Sequence, residues 1–176
     1  IVSHGETSRV ALANIFGLST ATVTNIVTEL LDQKLLYESR REQSIAGRKA
    51  TLLQFNSNLH YALTVSIGRS PKDEDCAEFT ICNLRGEIIS EKKMYQAFTI
   101  SESFSESDML KGLIAALRAF IAEQSSSTQA ALCAIGICIH GMVNCRQTVD
   151  TPILNWKNVN LTIPLQAALH LPVYVE

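Results

Sequence analysis

No apolar run in this chain is long enough to cross a bilayer, and no signal peptide opens it. We therefore expect a cytoplasmic protein without a membrane partner. Charge of one sign is also missing. The formal net charge is −2, so bulk charge gives no strong signal for nucleic acid. The five cysteines (Cys76, Cys82, Cys133, Cys138 and Cys145) form no C-x-x-C pair and no ligand spacing with histidine. Reduced thiols are expected in place of disulfides or a zinc site. Cys133 and Cys138 lie in an apolar run and read as small core residues. The G-x-x-x-x-G-K phosphate loop is absent as well. There is no initiator methionine, and Glu176 directly follows a strand-like run, so a fragment incomplete at both ends is expected.

What is present is a globular composition. Of 176 residues, 47% are hydrophobic and 18% charged, enough to build one or two domains with a core. The organising stretch is Arg9 to Thr28. Leu12 and the small Ala13 suit the inner face of a first helix crossed closely by a second. Gly17 ends that helix where φ > 0 is favoured, Leu18 is expected to plug the corner, and Ser19 is a good N-cap. Val23, Ile26, Val27, Leu30 and Leu31 follow helical spacing as one apolar stripe. Thr20, Ala21, Thr24, Asn25 and Thr28 make the opposite face polar, short-chained and uncharged. Such a face enters a major groove and meets base edges, with phosphates near the helix N-terminus. This is a helix-turn-helix reading, with Ser19, Thr20, Ala21, Thr24, Asn25 and Thr28 as DNA contacts. A third covering helix is not supplied upstream.

Two strands should follow, Leu35 to Glu38 and Thr51 to Phe55, around a polar loop with Gly47 near its tip. Together they predict a winged helix-turn-helix over residues 1–56. From Lys34 to Lys49, five basic residues (Lys34, Arg40, Arg41, Arg48, Lys49) face two acids (Glu38, Glu42). Arg48 is placed to enter a narrow minor groove and Lys49 to pair with phosphate.

Asn56-Ser57-Asn58 marks a boundary, and the second domain is assigned to 57–176. A strand from His60 ends at Gly68-Arg69, a hairpin turns at Arg85-Gly86-Glu87, and Ser107 or Asp108 caps a helix that buries Leu113, Leu117 and Phe120. Gln124 to Gln129 reads as a polar loop. Ala131 to Ile139 reads as a strand buried on both faces, ending in His140-Gly141. A loop carrying Pro152 and Trp156, a short helix near Ile163 to His170, and a buried strand Leu171 to Val175 complete an α/β layout.

These segments in order resemble the ROK family, which groups sugar-responsive repressors with sugar kinases. The matching segments are the helix-turn-helix from Ser8 to Leu31, Ala46-Gly47-Arg48-Lys49, and Leu63 to Arg69. They continue with Ala134 to Val143, Pro152 to Val159, and Leu171 to Glu176. The resemblance is to the front half of a NagC/XylR-type repressor. It implies a winged helix-turn-helix followed by the first lobe of an actin-like (RNase H-like) sugar-kinase fold. It implies a transcriptional regulator, a repressor of sugar-uptake or sugar-catabolism genes, relieved by a sugar or sugar phosphate. The partners implied are double-stranded operator DNA, the effector, and further copies of the chain in a homodimer or higher oligomer. The alternative within the family is a sugar kinase. The resemblance places sugar contacts at Gly68, His140, Gly141 and Glu176, and at Asn155 if a shift of the loop brings it to the place that otherwise falls to Ile153. Ser66 stands where the kinases carry the aspartate of their phosphate loop, and Ile153 stands where many members carry a sugar-binding asparagine. The family's catalytic aspartate and zinc motif lie beyond Glu176. No catalytic residue, metal ligand or cofactor is assigned to this chain, and the reading is not that of an enzyme.

Overall fold

Ser8 opens the helical part of the chain by accepting a hydrogen bond from the backbone N–H of Ala11 at 3.2 Å, the usual service of an N-cap hydroxyl. The computed structural model describes residues 5–41, 50–69, 75–95, 106–144, 148–152 and 156–176. The chain divides into two units, 1–59 and 60–176.

The first unit holds β1 (Thr7–Ser8), α1 (Arg9–Phe16), α2 (Thr20–Asp32), β2 (Leu36–Arg41) and β3 (Thr51–Phe55). Gly17 takes φ 64°, a conformation that costs a side-chain-bearing residue but not glycine. The N–H of Leu18 returns to the carbonyl of Ala13 at 3.0 Å, and the chain turns 118° between the two helices. Helix α2 ends at Lys34, also left-handed at φ 60°. There Leu35 N–H reaches the Leu30 carbonyl and Lys34 N–H the Leu31 carbonyl, the paired bonds of a Schellman end. The strands form an antiparallel sheet in the order β1-β3-β2. Leu12, Ala13, Val23, Val27 and Leu53 make the core between helices and sheet.

Two expectations fail here. Leu18 does not plug the corner but is 43% exposed, and Ile26 leaves the buried stripe at 45% exposed. Both line an apolar concavity of about 380 Å³ with Phe16, Leu30, Leu35 and Phe55. The buried face of α2 is therefore the narrow row Val23 and Val27, which packs on Leu12 and Ala13 of α1 and on Leu53 of the sheet.

The second unit contains β4 (Tyr61–Arg69), β5 (Asp75–Asn83), β6 (Ile88–Tyr95), α3 (Glu106–Ala122), α4 (Ser126–Ala131), β7 (Leu132–Ile139), β8 (Met142–Val143), β9 (Thr148–Thr151), β10 (Trp156–Asn160), α5 (Thr162–Leu169) and β11 (Val173–Val175). Its main sheet runs β11-β7-β4-β5-β6. Strands β4, β7 and β11 are parallel, and β5 and β6 are antiparallel additions. Alternate residues Leu63, Val65, Ile67, Phe79, Ile81, Ile135 and Ile137 bury one face against Leu113, Leu117, Phe120 and Leu165 of α3 and α5. Phe79 and Phe120 stack with ring centres 5.7 Å apart. The β5–β6 turn is tied by Asn83, whose side-chain Oδ1 accepts from the N–H groups of Arg85 and Glu87.

Strand β7 is not buried on both faces. The described helices cover one side only, so Cys133 and Cys138 are exposed thiols, not core residues, and Tyr174 of β11 is 62% exposed. Helix α3 begins at Glu106, which places Ser107 and Asp108 inside its first turn and not at its cap. The supposed loop at 124–129 contains the short helix α4, capped by Ser125 on the N–H of Thr128 at 3.2 Å. The stretch around Pro152 and Trp156 is a second antiparallel sheet, β10-β9-β8. Among the described residues no single helix is long and apolar enough to cross a membrane.

Leu53 is fully buried and joins both helices to the sheet. Leu53→Ala should cost about 2–5 kcal/mol, measurable as a lower denaturation midpoint of the first unit. A loss below about 0.5 kcal/mol, the range of surface substitutions, would show that this core is not what holds α1 and α2 together.

Candidate nucleic-acid interface and ligand edge

Helix α2 presents two faces of different chemistry. Ser19 caps it, accepting from the N–H of Thr22 at 3.1 Å. Behind it lie Val23 and Val27. In front, Thr20, Ala21, Thr24, Asn25 and Thr28 are all exposed. The hydroxyls of Thr24 and Thr28 donate to the carbonyls of Thr20 and Thr24, at 2.7 and 2.9 Å. Their donors are thus spent within the helix. Each keeps a methyl group and an oxygen lone pair to offer, a combination that suits apolar contact with a thymine methyl. The Asn25 side chain is exposed and its amide makes no hydrogen bond among the described residues. An amide carrying both a donor and an acceptor matches the adenine edge.

No lysine or arginine lies on α2, which carries Glu29 and Asp32 in its last turns. Cations stand nearby in the same unit. Arg9 Nη2 meets Glu38 Oε1 at 3.0 Å, and Arg40 Nη2 meets Glu6 Oε2 at 2.8 Å. Residues 29 and 34 positions apart are involved, so local spacing gave no hint of either pair. Arg48 and Lys49, the expected wing contacts, lie outside the described residues.

The second unit gathers a different set. Pairing of Ile67 with Ile139 ends the β4–β7 ladder, and the next residues, Gly68 and His140, meet there. A Cβ on Gly68 would lie 3.6 Å from His140 Nδ1. Glu176 reaches the same edge: its N–H donates to the Ile137 carbonyl at 2.9 Å, and its carbonyl accepts from Ile139 N–H at 3.0 Å. Gly68, His140, Gly141 and Glu176 thus share the carboxyl end of the parallel strands, where open α/β sheets bind ligands. Asn155 and Ile153 lie outside the described residues. Ser66 is exposed on the uncovered face of β4. Among the described residues no group of three or more His, Cys, Asp or Glu is placed to hold a metal ion.

The small sheet supports this edge. Asn144 donates to Thr148 Oγ1, which donates to Asn158 Oδ1 at 2.7 Å. Asp150 accepts from the N–H of Asn158 at 2.6 Å, and Asn158 is left-handed at φ 56°. Sequence reasoning missed this network because its members are polar residues scattered over fifteen positions. Gly141 lies directly against the sheet: a Cβ there would be 2.5 Å from the Asp150 carbonyl oxygen and 2.9 Å from Thr151 Cβ.

The sequence pattern of the ROK family matches residues 73–176. The chain belongs to the ROK family. Along its whole length it is 28% identical to the xylose repressor of Bacillus subtilis strain 168 and 29% identical to that of Bacillus spizizenii, covering 43% of each. A solved ROK transcriptional regulator, described as a homologue of the Escherichia coli MLC protein, superposes with a TM-score of 0.70 at 27% identity. That match covers 96% of this chain and 41% of the regulator. The chain therefore spans less than half the length of the ROK relatives it matches.

Gly141→Ala should lower the melting temperature, because the clash is with backbone that must move. Gly68→Ala meets only ordinary contact and should melt close to wild type. Equal melting of the two variants in differential scanning fluorimetry would contradict the close approach at Gly141.

Proposed function

We propose that the first unit is a winged helix-turn-helix that reads operator DNA, and that the second is the first lobe of an actin-like sugar-binding body. Together they act as a transcriptional repressor of sugar-uptake or sugar-catabolism genes, relieved by a sugar or sugar phosphate. The observation that carries this reading is the outer face of α2: an uncommitted asparagine amide among threonines whose donors are spent, on a helix set across its neighbour at 118°. Helix-turn-helix pairs cross at roughly 90–120°. Arg48 and Lys49 belong to the wing in this reading and steady the complex through phosphate. Gly68, His140, Gly141, Asn155 and Glu176 contribute to the effector site, and the body forms a homodimer or higher oligomer. The similarity to proteins named xylose repressor makes xylose the first effector to test. A sugar that binds one arrangement more tightly shifts the population able to hold DNA.

The kinase reading is weaker because Ser66 supplies a hydroxyl where metal-assisted phosphoryl transfer would use a carboxylate. Full-length protein should release no ADP above background with xylose, glucose, N-acetylglucosamine or N-acetylmannosamine. Turnover near 1 s⁻¹, the low end for typical enzymes, would overturn the repressor reading.

Operator sequence is recovered first by selection from random duplexes with the full-length protein. Asn25→Ala should then weaken binding to the selected site by about 1–3 kcal/mol and relax preference at one base pair. An equal loss on unselected DNA would mean that Asn25 only touches phosphate.

A further inference from the structure

We propose that Arg9 and Arg40 are phosphate contacts of the first unit, and that Glu38 and Glu6 hold them in reserve, lowering affinity for DNA of arbitrary sequence. The proposal rests on the DNA-binding reading above and adds a device that limits its affinity for any duplex.

The argument starts from a deficit. Duplex affinity that does not depend on sequence comes from lysine and arginine neutralising phosphates, yet α2 has no cation and ends in Glu29 and Asp32. Charge must come from residues outside α2. Arg9 is the first residue of α1, directly after the Ser8 cap. Arg40 lies on β2, the strand that precedes Arg48 and Lys49 in the sequence. Glu6 and Arg9 flank β1, and Glu38 and Arg40 lie on β2. Each ion pair joins one of the first two to one of the second: Arg9 to Glu38 at 3.0 Å, and Arg40 to Glu6 at 2.8 Å. The Arg40 Nε also donates to the same Glu6 oxygen at 2.9 Å. All four side chains are partly solvent-exposed, from 27% to 73%, and exposed pairs of this kind hold weakly. They are therefore exchangeable: a phosphate oxygen offers the same guanidinium an acceptor of the same sign and geometry. Because the carboxylates must be displaced first, nonspecific DNA is penalised. The same penalty applies to every duplex, so only a site that also engages Asn25 and Thr24 through base contacts recovers enough affinity to stay bound.

The test uses the full-length protein, a short mixed-sequence duplex as probe, and fluorescence anisotropy across a salt series. E6Q/E38Q keeps both cations and nearly the same side-chain shape. It should tighten binding by roughly 2- to 5-fold per carboxylate removed. E91Q/E123Q, an equal change of net charge in the second unit, should leave affinity within about 2-fold, since neither carboxylate pairs with Arg9 or Arg40. R9Q/R40Q should lower the slope of log affinity against log salt by about 1.8, at roughly 0.9 per phosphate contact. Circular dichroism checks that the fold persists, and if R9Q/R40Q unfolds, E6Q/E38Q alone decides. Unchanged or weaker binding by E6Q/E38Q overturns the proposal, as does equal tightening by E91Q/E123Q. In either case retained wild-type binding, with a reduced slope in R48A/K49A, leaves the DNA-binding reading standing. A wild-type protein that binds no duplex at low salt would remove that reading itself.

Discussion

The parallel pairing of β4 with β7 is the constraint on which the larger unit depends. Register from Ala62–Ala134 to Ile67–Ile139 aligns two runs of alternating apolar residues so that one face is continuous. That face has to be covered, and α3 and α5 supply Leu113, Leu117, Phe120 and Leu165. A slip of one residue would turn every one of these strand side chains to the other face. The same register ends both strands together, which is why Gly68 and His140 become neighbours although they are far apart in sequence. Adding β11 on the free side of β7 brings Glu176 to the same edge.

Much of this was legible where local chemistry decides local structure. Gly17, Ser19 and the Val23–Val27 row carry their own reasons for a turn, a cap and a buried face. Strand β3 was readable as Thr51–Phe55 from its alternation. What could not be read was coverage. Leu18, Ile26 and Cys138 are apolar enough for a core, but a sequence does not say whether another element lies over a given face. Short elements were lost for a different reason. Helix α4 has no apolar periodicity, and β9 and β10 are rich in polar residues that pair through Thr148 and Asn158. Their order comes from contacts between segments.

The two units divide the physical work differently. In the second, buried apolar strands fix a rigid edge on which polar loops are mounted. The first has a small core, and its charged groups are arranged across the sheet surface. Arg9, Glu38, Arg40 and Glu6 contribute little to holding that unit together, since exposed ion pairs are worth about 0–1 kcal/mol each. Their placement shapes the charge of the surface more than it adds stability.

Helix α2 itself is poorly suited to exist alone. Thr20, Thr22, Val23, Thr24, Ile26, Val27 and Thr28 are all β-branched, and such side chains lose torsional freedom against the preceding turn. Its acidic C-terminal residues also oppose the helix dipole. An excised peptide of this sequence would be mostly unstructured in water. The arrangement of Asn25 and its neighbouring threonines is therefore borrowed from Leu12, Ala13 and Leu53 on the other side of the helix. Whatever loosens that small core dissolves this exposed face as well, so the folding equilibrium of the first unit sets a ceiling on the fraction of molecules that present it.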